Sequence, residues 1–268
     1  MNFNRFTCIV LAIALSNCHP SIEVIKGHAH NDYEHKTPLT GAIANGFISV
    51  EADVYLIDND LYVSHEYPKQ LNPNLTLEAL YLNPLKNYIS KNHGAVYRNY
   101  SGPFYLMVDF KSSAKPTYEK LKAILSNYVS IISTIQNGIE QKGPVTVFIS
   151  GNRPVDEILA DEPKLALIDG RPNDLKRNIP ASVMPVVSTN YFNVLSWQGD
   201  KEISLDDKNS LLRLIQNTHA QHKKLRLWAA PDNAIVWKFL LDNGVDLINT
   251  DRLEDFRVFA LKYNAAHK

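Results

Sequence analysis

Only two cysteines occur in the 268 residues, Cys8 and Cys18, and both stand near the amino terminus. A disulfide framework is therefore excluded, and with Cys8 cleaved away and Cys18 modified, no free thiol remains. Charge of either sign is not in excess, since 28 basic side chains face 28 acidic ones. No basic run and no interleaving of aromatic with basic residues occurs, so nucleic acid is not an expected partner. The apolar stretch Cys8–Leu15 is too short to cross a bilayer as a helix. Internal repeats and low-complexity segments are also missing. What is present, 45% hydrophobic and 21% charged residues, is the composition of a soluble globular chain with a real core.

The amino-terminal residues differ in kind from the rest. Residues 1–17 read as a signal peptide of the lipoprotein type, because Leu15-Ser16-Asn17-Cys18 resembles a lipobox with lipidation at Cys18, although Asn17 stands where Gly, Ala or Ser is usual. The expectation is an exported protein, lipid-anchored in the bacterial cell envelope at the periplasm or outer membrane, with that anchor as its membrane contact. A plain cleaved signal and a buried amino-terminal helix are the other readings. Residues 18–268 are then one domain, with oligomeric state open.

Within that domain strand-like and helix-like segments alternate. Strands are expected at Glu23–His28, Phe47–Tyr55, Phe104–Lys111, Val145–Ser150, Leu165–Asp169, Val183–Ser188, Leu225–Ala230 and Asp246–Thr250. Helices are expected at Thr76–Asn92, Tyr118–Asn137, Val155–Ala160, Leu205–His222, Ala234–Asn243 and Leu253–Tyr263, with a short β-like piece, Leu61–His65, after an Asp58-Asn59-Asp60 turn. Alternation of this kind implies a parallel sheet. Eight units in this length fit a single α/β (β/α)₈ TIM barrel. An open doubly wound sheet fits less well, because no Gly-rich loop follows the first strand.

Set into these strands are His28, Glu51, Asp53, His65 and Asp109. Residues two apart on a strand share a face, so Glu51 points with Asp53, and Asp109 with Lys111. Three carboxylates on inner faces repel one another and lose hydration unless a cation or strong donors compensate. Hard oxygen donors imply one divalent cation, Mg²⁺ or Ca²⁺, and the flanking histidines imply acid–base chemistry beside it. A barrel places its site at the carboxyl ends of the strands. His28, Asp53 and Asp109 end strands there, and Arg153, Arg171, Asn190, Trp228 and Asp251 lie on or just past others.

These residues resemble the superfamily of phosphatidylinositol-specific phospholipase C-like phosphodiesterases, which includes glycerophosphodiester phosphodiesterases and spider-venom sphingomyelinase D. Gly27-His28 is similar to the family's first catalytic histidine, Glu51-Ala52-Asp53 to its paired metal carboxylates, and Leu61–His65 to the second catalytic histidine. Asp109-Phe110-Lys111 resembles the third metal carboxylate followed by a phosphate-binding lysine. Leu225–Pro231 and Gly244–Asp251 resemble the closing strands. His28–Tyr33, reading His-Ala-His-Asn-Asp-Tyr, is similar to the branch around the fungal protein altered inheritance of mitochondria 6. The Arg-Gly and Pro-Glu-Asn-Thr pattern of glycerophosphodiesterases is missing, so glycerol-recognising contacts are not carried over.

The resemblance implies attack on a small-molecule or lipid phosphodiester. His28 and His65 would move protons, Glu51, Asp53 and Asp109 would hold the metal, and Lys111 would meet the phosphate. A substrate hydroxyl serving as nucleophile would give a cyclic phosphate. Asn31, Arg153, Arg171 and Trp228 are candidate substrate contacts. Each also has a plainer reading: a group standing behind the substrate contacts for Asn31, braced loops for the arginines, core for Trp228. Two other functions stay open: an amidohydrolase-type metal site begun by His28-x-His30, and a lipoprotein that binds phosphorylated headgroups without turnover.

Overall fold

The computed structural model describes residues 22–267. In chain order its strands are β1 (Ile25–Ala29), β2 (Phe47–Ile57), β3 (Asp60–Val63), β4 (Phe104–Phe110), β5 (Thr134–Gln136), β6 (Ile139–Gln141), β7 (Val145–Gly151), β8 (Leu167–Gly170), β9 (Val186–Asn190), β10 (Lys224–Trp228) and β11 (Leu247–Thr250). The helices are α1 (Thr40–Ala44), α2 (Asn83–Lys91), α3 (Ala114–Leu125), α4 (Val155–Ala160), α5 (Leu205–His219), α6 (Ala234–Asn243) and α7 (Leu253–Ala266). The parallel strands follow the order β1-β2-β4-β7-β8-β9-β10-β11, and β11 pairs back to β1, which closes an eight-stranded barrel. The expected TIM barrel is the observed fold.

Closure explains the composition of the strands. On β2 and β4 the residues between the site carboxylates, Val50, Ala52, Val54 and Val108, are fully buried, as a parallel strand covered on both faces requires. The outer layer fits closely at Gly27, where a Cβ would fall 2.5 Å from the Phe47 ring and 3.1 Å from Phe256 of α7. Helix starts are fixed by side chains: Ser204 accepts from the Asp207 amide at α5, and Asn233 accepts from the Ile235 and Val236 amides at α6, satisfying amides that have no partner within the helix.

Two hairpins interrupt the β/α alternation. Strand β3 runs antiparallel to the far end of β2, joined by Asp58 and Asn59, both with positive φ. That is the tight turn whose twist matches the flanking strands, and it carries the chain back to place His65 beside Asp53. The second hairpin departs from expectation. The helix expected to reach Asn137 stops at Leu125, and β5 pairs with β6 across Asn137-Gly138, again both at positive φ. Asn-Gly between short β-prone runs is a hairpin signal, and it overrides the weak helical periodicity there. The segment before α2 opens as a π-helix, Glu78–Leu82. Pro84 supplies no amide to the next turn, which leaves room for the irregular one.

Candidate active site

A cavity of about 460 Å³ lies at the carboxyl ends of the barrel strands, lined by His30, Glu51, Asp109, Lys111, Arg171 and Arg226 among others. Register puts its acids together: Asp53 on β2 lies directly beside Asp109 on β4. One oxygen each from Glu51, Asp53 and Asp109 lies within 4.8 Å of the other two, the arrangement a single cation needs. Glu51 is 5% exposed and Asp53 is fully buried. Burial, with repulsion from Glu51 and Asp53, raises the pKa of Asp109 against the opposing pull of Lys111.

The donor set fits a divalent cation on one further observation. Asp53 Oδ2 is crowded, with the Tyr33 hydroxyl at 2.8 Å, Lys111 Nζ at 3.0 Å and His65 Nδ1 at 3.1 Å. Its other oxygen, Oδ1, is buried and has no partner at all. A buried carboxylate oxygen without a partner is costly, and a metal ligand position removes that cost. Lys111 also reaches Asp109 Oδ1 at 3.1 Å, and those two acids raise its pKa despite burial. Nearby, Gly151 has a positive φ, and any Cβ there would run into Asp109 Oδ1 and the Phe110 backbone.

The opposite wall is cationic. Arg226, only 3% exposed, donates to Glu51 Oε2 at 3.3 Å and Asn249 Oδ1 at 3.0 Å, and lies against Met107 Sδ. Arg171 is held by the buried Asp169, with Nη1 2.6 Å from Asp169 Oδ2 and Nη2 3.1 Å from Ser150 Oγ. Asp169 in turn accepts from Ser150 and Ser188. Trp228 at the end of β10 completes this wall.

The structure corrects two expected positions. His28 is fully buried beneath the cavity, with Nδ1 2.6 Å from Ser49 Oγ and Nε2 3.2 Å from Glu51 Oε2. Burial, with the charge of Arg226, lowers its pKa well below the ordinary value. Both ring nitrogens are engaged, so this imidazole props Glu51 rather than facing the cavity. The histidine that does line the cavity is His30, in the turn just past the end of β1. Its Nδ1 is 2.7 Å from Asp251 Oδ1 and its Nε2 4.0 Å from Glu51 Oε2. Burial pulls its pKa down, but the Asp251 bond and the Glu51 charge outweigh that and leave it raised. Arg153 is the second correction. Its guanidinium donates to Asp174 and to the Asp169 carbonyl, which braces the loop after β8 outside the cavity.

His65 sits at the rim with half its side chain exposed. Asn31 takes the left-handed conformation, with its side-chain oxygen 3.1 Å from the Tyr33 hydroxyl. Histidines do not join the metal cluster among the described residues, which removes the basis of the amidohydrolase reading. Arg226, Asp169 and Tyr33 were given no site role by the sequence reading. Arg226 and Asp169 had a usable signal, a charge standing inside an apolar strand in Leu225-Arg226-Leu227 and Ile168-Asp169-Gly170. The Tyr33 contact depends on how the loop after β1 folds back, which no local pattern reveals.

A closed barrel carrying three converging carboxylates and a facing cationic wall defines a class, the barrel enzymes that handle phosphate esters. The chain belongs to a family within it: the model described as "AIM6-like phosphodiesterase domain" matches residues 16–166. The chain is similar to altered inheritance of mitochondria protein 6 of Kluyveromyces lactis, 28% identical across 87% of this chain and 71% of that one. It is also similar to the homolog of that protein in Arthroderma benhamiae, 28% identical across 84% and 80%. A solved glycerophosphodiester phosphodiesterase from Parabacteroides distasonis shares the fold, with a TM-score of 0.51 at 13% identity over 90% of this chain and all of that one.

These relatives also correct the expected localisation. They are fungal proteins named for mitochondrial inheritance, which overturns the reading of a bacterial envelope lipoprotein. The signal peptide at 1–17 and the lipidation at Cys18 lie outside the described residues. No helix among the described residues is long and apolar enough to cross a membrane.

Proposed function

We propose that this phosphodiesterase is metal-dependent and cleaves its diester by acid–base catalysis with two histidines, His65 taking a proton from the nucleophile and His30 giving one to the leaving oxygen. The observation that carries the proposal is the buried, partnerless Asp53 Oδ1 within a trio of carboxylates. Glu51, Asp53 and Asp109 would hold one divalent cation, Mg²⁺ or Ca²⁺. When bound, that cation neutralises charge developing on the phosphoryl oxygens.

The chain's own residues do the rest. Lys111, Arg171 and Arg226 present fixed positive charge to one cavity, preorganised for a phosphate that gains negative charge in the transition state. His30, its pKa raised and its ring oriented by Asp251, holds the proton given to the leaving oxygen. His65, on Asp53 at the rim, accepts the proton of the attacking hydroxyl or water. Trp228 offers a flat apolar wall to the alcohol. Because Arg171, Arg226, Trp228 and Asp251 stand beyond the matched segment yet belong to the same site, the catalytic unit extends past that segment to the closing strand β11.

The test is turnover of bis-p-nitrophenyl phosphate, with products resolved by ³¹P NMR, after chelation and after readdition of Mg²⁺ or Ca²⁺. Activity should vanish with the metal and return with it, and Asp53→Asn should lower kcat by about 10³-fold or more while the fold survives. Full activity in chelator, or in Asp53→Asn, sinks the proposal.

A further inference from the structure

One hydroxyl, that of Tyr33, touches three groups of the active site at once. It lies 2.8 Å from Asp53 Oδ2, 3.1 Å from Asn31 Oδ1 and 3.3 Å from His65 Nδ1. Its position is built by the loop after β1. Asn31, in the left-handed conformation, leads into a short 3-10 turn, Asp32–Glu34, and the buried Asp32 pins that turn through the Leu39 amide and the Tyr81 hydroxyl. Burial, with the charge of Asp53, pushes the Tyr33 pKa upward, so the phenol keeps its proton across the working pH range. His65 is held far less. Half its side chain is exposed, and of its ring atoms only Nδ1 is bonded among the described residues.

We infer that Tyr33 is a positioning residue, whose hydroxyl commits Asp53 Oδ2 to protein donors and holds His65 in the tautomer with its proton on Nδ1. The inference rests on the proposed function and deepens it. A phenol has one proton to give. The Asp53 carboxylate is nearer and, being charged, a stronger acceptor than the Asn31 amide, so the proton goes to Asp53 Oδ2. What the phenol then offers His65 is a lone pair, and Asp53 Oδ2, 3.1 Å from the same nitrogen, offers another. Two acceptors facing Nδ1 require that nitrogen to carry the hydrogen. In the neutral ring Nε2 is therefore bare, the form a proton acceptor needs. The same bond leaves Asp53 Oδ1 as the free oxygen of that carboxylate, so one hydroxyl orients a metal ligand and a base together.

The experiment is ¹⁵N–¹H correlation NMR of the histidine rings, in which a bare ring nitrogen and a protonated one resonate far apart. Spectra are recorded above the histidine titration range, metal-free and with Mg²⁺, in the wild type and in Tyr33→Phe, and His65→Asn identifies the signal. The wild type should show His65 as one tautomer, protonated at Nδ1, in both states. Tyr33→Phe keeps the aromatic ring and removes only the hydroxyl, and it should give a mixture of the two tautomers. It should also lower kcat for bis-p-nitrophenyl phosphate at least about tenfold, a part of the roughly 10²–10⁴ that a general base supplies, with KM changed by less than about twofold. A wild-type ring protonated at Nε2, an unchanged tautomer in Tyr33→Phe, or an unchanged kcat overturns the inference. The spectra require neither metal nor turnover, so a wild type that shows the Nδ1 tautomer but cleaves no diester keeps the positioning role and removes the proposed reaction instead.

Discussion

Two walls of opposite charge face each other across this barrel. Strands β2 and β4 supply Glu51, Asp53 and Asp109, while β10 and the loop after β8 supply Arg226 and Arg171. The acidic wall is dense, and Asp53 Oδ2 alone meets three neighbours, whereas the basic wall is spread along separate strands. Under the proposed function, the difference follows from what each would hold. A cation needs several oxygens within one small sphere. A phosphodiester presents dispersed oxygens and a bulky alcohol, and a set of separated donors fits it better.

Arg226 joins the walls, so its loss gives the largest predicted effect. Its guanidinium compensates Glu51 inside the barrel. In Arg226→Met without metal, Glu51 is left as an uncompensated buried charge, and unfolding should become about 3–5 kcal/mol easier by denaturant titration. Adding Mg²⁺ or Ca²⁺ should restore part of that loss, since a cation bound only by the folded state stabilises it. Equal stability of the two metal-free proteins would show that Glu51 is compensated without Arg226, and the picture of one bridge between the walls would fail.

The second prediction separates the two histidines of the acidic wall. His30→Asn should cost roughly 10²-fold or more in kcat, the size of a lost general acid, with little change in stability. Because the raised pKa of His30 keeps its proton to higher pH, the wild type should lose activity as pH rises through that value, and the variant should lack this limb. His28→Asn should instead lose on the order of 1–3 kcal/mol of stability, the cost of disturbing buried hydrogen bonds. If His28→Asn keeps its stability but loses turnover, His28 belongs to the chemistry after all.

The same asymmetry governs what could be read before the fold was known. The acidic wall was legible because its residues stand at strand parity inside short apolar runs. Glu51 and Asp53 share a face by strand parity, and Asp109-Phe110-Lys111 repeats that spacing. All eight barrel strands were legible for a related reason, as short, largely apolar runs between Gly, Pro and Asn punctuation. The family pattern points to His28 at the end of β1, whereas His30, in the turn just past it, is the one that lines the cavity, a difference of depth in the barrel that local sequence does not display. The basic wall was half-legible. Arg171 follows a strand and was found, but Arg226 meets Glu51 across 175 residues, a pairing that barrel closure creates and no spacing encodes.

The smallest expected effect concerns the loop that carries His30 and Tyr33 onto the acidic wall. Asp32 anchors it: Oδ2 accepts from the Leu39 amide at 2.6 Å and the Tyr81 hydroxyl at 3.0 Å, while Oδ1 is buried without a partner. Burial raises its pKa to about 6, against the lowering effect of those two bonds. Since the folded pKa lies above the unfolded one, the folded state holds this proton more tightly, and stability is lost as pH rises from about 4 to about 6. The loss should be on the order of 2 kcal/mol, and it should be missing from Asp32→Asn. Subtracting the two stability curves isolates it from every other titrating group. Parallel curves would mean that Asp32 is ionised throughout, so that the loop is held by a charge and the anchor belongs with the acidic wall rather than beneath it.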